Sequence, residues 1–307
     1  MSQTERAIYQ HQGLWIRSDW PLPGPISPEP VDRVDVQIQL GSVAHELPGA
    51  CLRGGLVQAA RFKFQLNMPG VARYRAEQGK RLLIEPVAGA CERDVSLFLF
   101  HSVLPALLIQ RGYLVLSACA VELPDGVALL CGHTASGKSA LAATLHQRGL
   151  RVLGDDVVSL SVHRNQVQLR PGLPWLTVWG DVAAVLGLKF SDDQRSRVSS
   201  TSSSDRFQLE LPSRHSGMLP IKRLVYLERD NDDSEESDSL SESEPGHRLL
   251  HHCLHQRFAM AMQTGGAAPV LAQSLSEQCR QQVLRSSSAA LTRLRLEELA
   301  DRVLADE

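Results

Sequence analysis

The sequence predicts an α/β protein in two parts: a β-rich N-terminal domain over residues 1–92, and a domain over 93–307 built around a glycine-containing loop between a strand and a helix. Three observations carry this. Apolar and polar residues alternate through the first third, the period of half-buried strands. An apolar stretch near residue 100 has the length of a buried helix. The run Gly132-His133-Thr134-Ala135-Ser136-Gly137-Lys138-Ser139 fits G-x-x-x-x-G-K-[ST], with an apolar strand before it and good helix formers after it, the context that gives the pattern meaning.

The elements follow in order. Val34, Val36, Ile38 and Leu40 alternate with polar residues and stop at Gly41, and Phe62, Phe64, Leu66 and Met68 repeat the period before Pro69-Gly70. Residues 71–76 and 81–85, joined by Glu77-Gln78-Gly79, read as a hairpin. Pro21, Pro23, Pro25, Pro28 and Pro30 make the segment before the first clear strand an extended connector. A helix is expected from about residue 94 to 110, closing on Gly112. Residues 113–123 read as a strand, Pro124-Asp125-Gly126 as a turn and 127–131 as a second strand. Beyond the loop come a helix over 139–147, a short strand over 150–153, another over 224–227, a strand over 290–296 and a last helix from Glu297.

Composition narrows the function classes. With 307 residues, 43% of them hydrophobic, the chain has the makings of a globular core and is not disordered as a whole. Residues 230–244 hold eight carboxylates and no Lys or Arg, and removing them takes the formal net charge from −2 to +6. The body is therefore mildly basic, and the acidic stretch reads as a solvated insertion over 230–246. No basic run with interleaved aromatics appears, so no nucleic-acid partner is expected. Six cysteines without a C-x-x-C pair point to a reducing cytoplasm. The start is polar, without the apolar core of a signal peptide. Residues 95–109 contain His101 and Pro105 and fall short of the ~18 to 20 apolar residues of a membrane span, so no membrane association is expected.

The loop carries the chemistry. Its glycines let backbone amides turn inward around a polyphosphate, and the helix that follows adds about half a positive charge at its N-terminus. Lys138 then reaches the β- and γ-phosphates of ATP, and the Ser139 hydroxyl sits on Mg²⁺. One short strand later comes Gly154-Asp155-Asp156. In a parallel sheet, carboxylates at the end of the strand beside the loop face the nucleotide. One holds Mg²⁺ and the other accepts the proton of the attacking hydroxyl, with the assignment of Asp155 and Asp156 left open.

The stretches LSACAV (116–121), DGVALLCGHTASGKSALAATLHQRG (125–149) and LRVLGDDVVSL (150–160) resemble the catalytic core of the HPr kinase/phosphorylase family, in particular its divergent HPr-kinase-related serine kinase branch. PLPGP (21–25), DVQIQLG (35–41), GVARYRAEQGKRLLIEP (70–86) and PGLPWLTVWGDVAAVLGL (171–188) extend the likeness over about residues 15–230. The resemblance implies a P-loop fold similar to the nucleotide domain of phosphoenolpyruvate carboxykinase. It also implies ATP-dependent phosphorylation of a serine on a protein or peptide, and self-association, since HPr kinases are oligomers. The branch often carries a lysine in a segment that aligns near Ser204-Asp205-Arg206-Phe207, which makes Arg206 the candidate second cation at the transferred phosphate. Two departures argue against HPr as acceptor and against reverse phosphorolysis: Ser117 stands where the family commonly has a histidine, and the later signature around a carboxylate and Arg-Gly is missing. A small-molecule kinase or nucleotide hydrolase on the same core, and a nucleotide-binding module with decayed catalysis, stay open as alternatives.

Weaker signals have structural readings. His247, His251 and His255 fall at helical spacing and read as a partly exposed helix face rather than zinc ligands. Trp175 and Trp179 read as core packing, with an adenine or peptide platform as the alternative.

Overall fold

The computed structural model describes residues 7–28, 31–173, 175–190, 195–197, 205–211, 217–229, 245–262, 266–286 and 292–305. The architecture is mixed α/β with three sheets. It divides into two compact units, one of residues 1–115 and 254–268 and one of residues 116–253 and 269–307.

The first unit rests on an eight-stranded sheet. Its strands are β1 (Ala7–His11), β2 (Leu14–Ser18), β3 (Val36–Leu40), β4 (Leu52–Arg53), β5 (Val57–Ala60), β6 (Lys63–Met68), β7 (Ala72–Glu77) and β8 (Arg81–Pro86), in the order β1-β2-β3-β8-β7-β6-β5-β4. Pairing is antiparallel except that β3 runs parallel to β2 and β8. The alternation in the sequence appears as one buried face of the pleat: Val36 and Ile38, then Ala72, Tyr74 and Ala76, then Leu82 and Ile84.

The single helix expected over 94–110 is interrupted. Helices α1 (Glu92–Phe98) and α2 (Leu104–Gln110) flank a π-helical turn at Leu99–Val103, where the Leu104 amide reaches back five residues to the Leu99 carbonyl. Pro105 supplies the reason. It has no amide for the carbonyl of residue 101, and its ring crowds that carbonyl.

These helices pack within the first unit, not at the start of the second as a boundary at residue 92 would have it. The Tyr74 hydroxyl donates to the Val95 carbonyl at 2.9 Å. The Gln110 amide accepts from the Gly79 N–H at 2.8 Å and donates to the Ala76 carbonyl at 3.2 Å. Residues 254–268 return to the same unit: the Phe64 ring lies 5.4 Å from His255 and 5.7 Å from Phe258. Among the described residues, no helix is long and apolar enough to cross a membrane.

The chain passes into the second unit at β9 (Leu114–Leu116). The strand expected over 113–123 breaks at Ser117, whose N–H leaves the ladder for the His252 carbonyl at 2.8 Å. Beyond it, β10 (Ala118–Leu123), β11 (Gly126–Gly132), β12 (Val152–Gly154), β13 (Val158–His163), β14 (Gln166–Arg170) and β18 (Leu219–Arg229) lie in the order β12-β10-β11-β18-β14-β13, and β19 (Arg280–Ser286) also pairs with β18. A separate sheet has the order β15-β17-β16, from β15 (Trp175–Trp179), β16 (Arg195–Arg197) and β17 (Asp205–Glu210).

Strand β11 is parallel to β18, and Val127, Ala128, Leu129, Leu130 and Cys131 are all buried, the continuous apolar run of a strand covered on both faces. The sheet is mixed, however, not parallel throughout. Strand β12 does not adjoin β11, because β10 lies between them and pairs antiparallel with both. Helix α3 (Lys138–Gln147), helix α4 (Gly180–Leu186) and the helix Arg293–Leu304 share a core in which Leu141, Leu145, Leu186 and Leu299 meet Val121, Leu130 and Val178.

Of the strand expected over 290–296, residues 290–291 lie outside the described residues and the described remainder is not strand. Residues 293–296 begin the last helix, opened by the Thr292 hydroxyl accepting from the Arg295 N–H at 3.3 Å and buried along Leu296, Leu299, Ala300 and Val303 at helical spacing. The acidic stretch 230–244 and the serine run 199–204 lie outside the described residues.

Gln110→Leu leaves the buried Gly79 N–H without its acceptor at nearly unchanged volume. A loss of about 1–3 kcal/mol is expected in urea unfolding, and an unchanged midpoint would contradict this role for the side chain.

Candidate functional site

Strand β11 ends at Gly132, and helix α3 begins at Lys138; the five residues between them form a tight loop. Gly132 admits no side chain, since a Cβ there would lie 2.5 Å from the Ser136 hydroxyl and 2.7 Å from the Leu227 carbonyl. Gly137 caps the helix at φ +97° and Ala135 sits at φ +64°, so the chain twice enters the left-handed region within three residues. Alternation of that kind turns successive amides toward one side, the geometry of an anion-binding nest. His133, Thr134 and Ala135 are exposed, and Ser136 is buried.

Lys138 is only 8% exposed, so its ammonium needs acceptors. It finds them in the loop itself, donating to the Gly132 carbonyl at 2.7 Å and the His133 carbonyl at 2.8 Å. The His133 carbonyl also accepts the Ser136 N–H at 3.1 Å. The lysine is thus held at the mouth of the loop by two neutral oxygens. The Ser136 hydroxyl has no hydrogen-bond partner among the described residues.

The next side chain, Ser139, donates to Asp155 Oδ1 at 2.8 Å. Cys119 donates its thiol hydrogen to the same oxygen at 2.9 Å, and the Thr177 N–H donates to Oδ2 at 2.7 Å. Asp155 therefore draws on β10, α3 and β15. Burial pushes its carboxyl above the usual carboxylate range, against the lowering by the Cys119 and Thr177 bonds. Burial and the Asp155 charge push the Cys119 thiol far up, which keeps it a protonated donor.

One close backbone approach lies just before this carboxylate. The Gly172 N–H donates to the Leu153 carbonyl at 2.6 Å, and a Cβ on Gly172 would lie 3.2 Å from the Gly154 Cα. Asp156, directly after Asp155, is exposed and has φ +65°. The Val157 N–H donates across it to the Asp155 carbonyl at 2.7 Å. An i to i+2 bond around a residue of positive φ is a γ-turn of the rare, strained kind.

Of the residues singled out from the sequence, Lys138, Ser139 and Asp155 come together with the loop, and Asp156 adjoins them in the chain. Arg206 stands apart, in β17 opposite Trp179 of β15. Its guanidinium lies 4.1 Å from the centre of the Trp179 ring, and its Nε has no hydrogen-bond partner among the described residues. Trp179 is 41% exposed, so the core-packing reading fails for it. In a strand, residues 175, 177 and 179 share one face, while Leu176 and Val178 fill the core on the other.

The histidine row does not form either. Its helix ends at Leu250, His255 has φ +55°, and the His255 ring bonds the Ser102 carbonyl at 3.0 Å in the first unit. Among the described residues, no group of three or more His, Cys, Asp or Glu side chains is arranged to hold a metal ion.

Two contributors had not been singled out in the sequence: Cys119 and the Thr177 amide. A backbone donor has no residue signature. Cys119 occupies an ordinary strand position.

No family model matches the chain, and none of the curated proteins matches it. Among solved structures it is similar to the Hpr(Ser) kinase/phosphatase from Coxiella burnetii, with a TM-score of 0.24 and 18% identity, over 39% of this chain and 67% of that one.

A carboxyl whose folded pKa is raised binds more protons in the folded than in the unfolded state, so its contribution to stability falls as pH rises from the unfolded value of about 3.9 through the raised folded value. Asp155→Asn removes this dependence. In urea unfolding across pH 3.5 to 8, the stability of the variant relative to wild type should therefore rise with pH over that window and then level off, whatever the constant offset. A relative stability that falls with pH would show that Asp155 is favourably charged in the fold.

Proposed function

We propose that the protein transfers the γ-phosphate of ATP, with Mg²⁺, to a serine hydroxyl of a protein or peptide. The observation that carries this reading is the joining of a lysine-bearing loop at the end of β11 to a carboxylate just past the end of β12 through the Ser139–Asp155 bond of 2.8 Å. The serine acceptor follows from the resemblance of the sequence motifs.

The residues fit their ligands by chemistry. Loop amides and the first turn of α3 offer donors to phosphate oxygens. Lys138 exchanges the carbonyls of Gly132 and His133 for charged phosphate oxygens, which make the stronger bonds. The Ser139 hydroxyl and the Asp155 carboxylate are hard oxygen donors of the kind Mg²⁺ takes. When bound there, Mg²⁺ supplies neutralisation of the charge on the β- and γ-phosphates.

The geometry favours a division of labour between the two aspartates. Asp155 has both oxygens engaged by protein donors and is anchored, which suits it to hold the ion with Ser139. Asp156 is exposed on its turn and suits the second task, accepting the proton of the attacking hydroxyl. Arg206, stacked on Trp179, is proposed to meet the transferred phosphate only if β17 shifts toward the loop.

The test uses ATP labelled on the γ-phosphate, Mg²⁺ and a panel of serine-containing peptides. Wild type should bind MgATP and label a peptide. Lys138→Ala should bind MgATP at least about tenfold more weakly, while Asp156→Asn should keep binding and lose about 10²- to 10⁴-fold in transfer rate. Unaltered MgATP binding by Lys138→Ala would overturn the loop assignment. Label released only to water would replace transfer with hydrolysis.

A further inference from the structure

Behind the phosphate-loop candidate stands a side chain that no part of the reading above uses. We propose that His252 is a positioning residue for the loop, an uncharged imidazole that fixes the His133 end of it through ring contact. The inference rests on the nucleotide reading of the loop and adds to it the element that sets the loop's shape.

The His133 and His252 rings meet edge to face, with centroids 5.8 Å apart. On its other side His252 lies 5.9 Å from the ring of Tyr226, on the central strand β18. The Arg248 guanidinium covers that same Tyr226 ring at 4.4 Å and pairs with Glu228. The His252 backbone is fixed as well, because its carbonyl accepts the Ser117 N–H at 2.8 Å and its neighbour Cys253 bridges to Leu116. His252 is therefore held by the Tyr226 ring contact and by its backbone, and its ring meets one exposed residue of the loop.

That residue matters more than its exposure suggests. The His133 carbonyl accepts both the Lys138 ammonium and the Ser136 N–H. Wherever the His133 peptide is placed, the lysine and the turn of the loop are placed with it. Holding the His133 ring limits the rotation of its backbone, so His252 acts on Lys138 through His133 without touching a ligand. The ring must be neutral for this, since Lys138 and Arg248 are close by. Burial, aided by the Lys138 and Arg248 charges, pushes the His252 imidazole down to about 3.

The experiment measures MgATP affinity for wild type, His252→Ala, His252→Phe, His133→Ala and the double alanine variant, each checked for folding by circular dichroism. His252→Ala should weaken MgATP binding about five- to tenfold. His252→Phe, which restores a ring, should recover most of that loss. The double variant should be no weaker than the worse single one, because both remove the same contact. Wild-type affinity in His252→Ala, failure of His252→Phe to recover binding in a folded protein, or additive losses in the double variant would each overturn the inference while leaving the nucleotide reading intact. A wild-type protein that binds no MgATP would instead overturn the nucleotide reading, and this inference with it.

Discussion

A carboxylate drawn out of water must be given donors, and Asp155 takes them from a thiol on β10, a hydroxyl on α3 and an amide on β15. Leaving a partly buried polar group without its hydrogen-bond partner typically costs about 1–3 kcal/mol, so these elements are bound to a common point. The rest of the candidate site is placed by that requirement. Ser139 is adjacent to Lys138, so anchoring the serine anchors the lysine. The amide of β15 is adjacent to the strand segment that carries Trp179, so the small sheet is tied to the same carboxylate. Gly172 belongs to the same constraint, because a Cβ there would lie 3.2 Å from the Gly154 Cα and press on the backbone that leads into Asp155.

The loop shows the complementary solution. Among the described residues its buried ammonium has no carboxylate partner and uses two carbonyls of its own loop. Holding Ala135 and Asp156 in the left-handed region costs of order 1–2 kcal/mol at each residue, and both positions sit on this edge of the second unit. Strain of that size persists only where the surroundings fix the chain. Here the surroundings are named: the Ser136 to His133 bond in the loop, and the Val157 to Asp155 bond across the turn.

Much of this was readable in the sequence, for physical reasons. Strands with one wet face, such as β3, β7 and β8, announce themselves by period, and the loop announces itself by glycines spaced for a tight turn between a strand and a helix. The interrupted helix was not readable as such, although Pro105 was visible, because the choice between a kink and a π turn depends on what the neighbouring carbonyls can find. The last strand was misplaced because Leu294 and Leu296 fit a strand as well as a helix, and only packing against α3 decides between them. The order β12-β10-β11 escaped because it depends on non-local pairing. The donors to Asp155 escaped for the same reason, two of the three lying on strands far from it in sequence, and one of those being main chain.

The return of residues 254–268 to the first unit makes the chain interleaved: the first unit is left, entered again and left a second time. No single cut separates the two. A fragment ending near residue 115 would lack the segment that supplies Phe258 and His255 to Phe64, and a fragment beginning there would carry that segment with its aromatic partners missing. In genealogical terms, most of the second unit occupies the place of an insertion in a loop of the first, so recombination that trades one unit must exchange two stretches of sequence together. The chain's modularity is spatial and not linear.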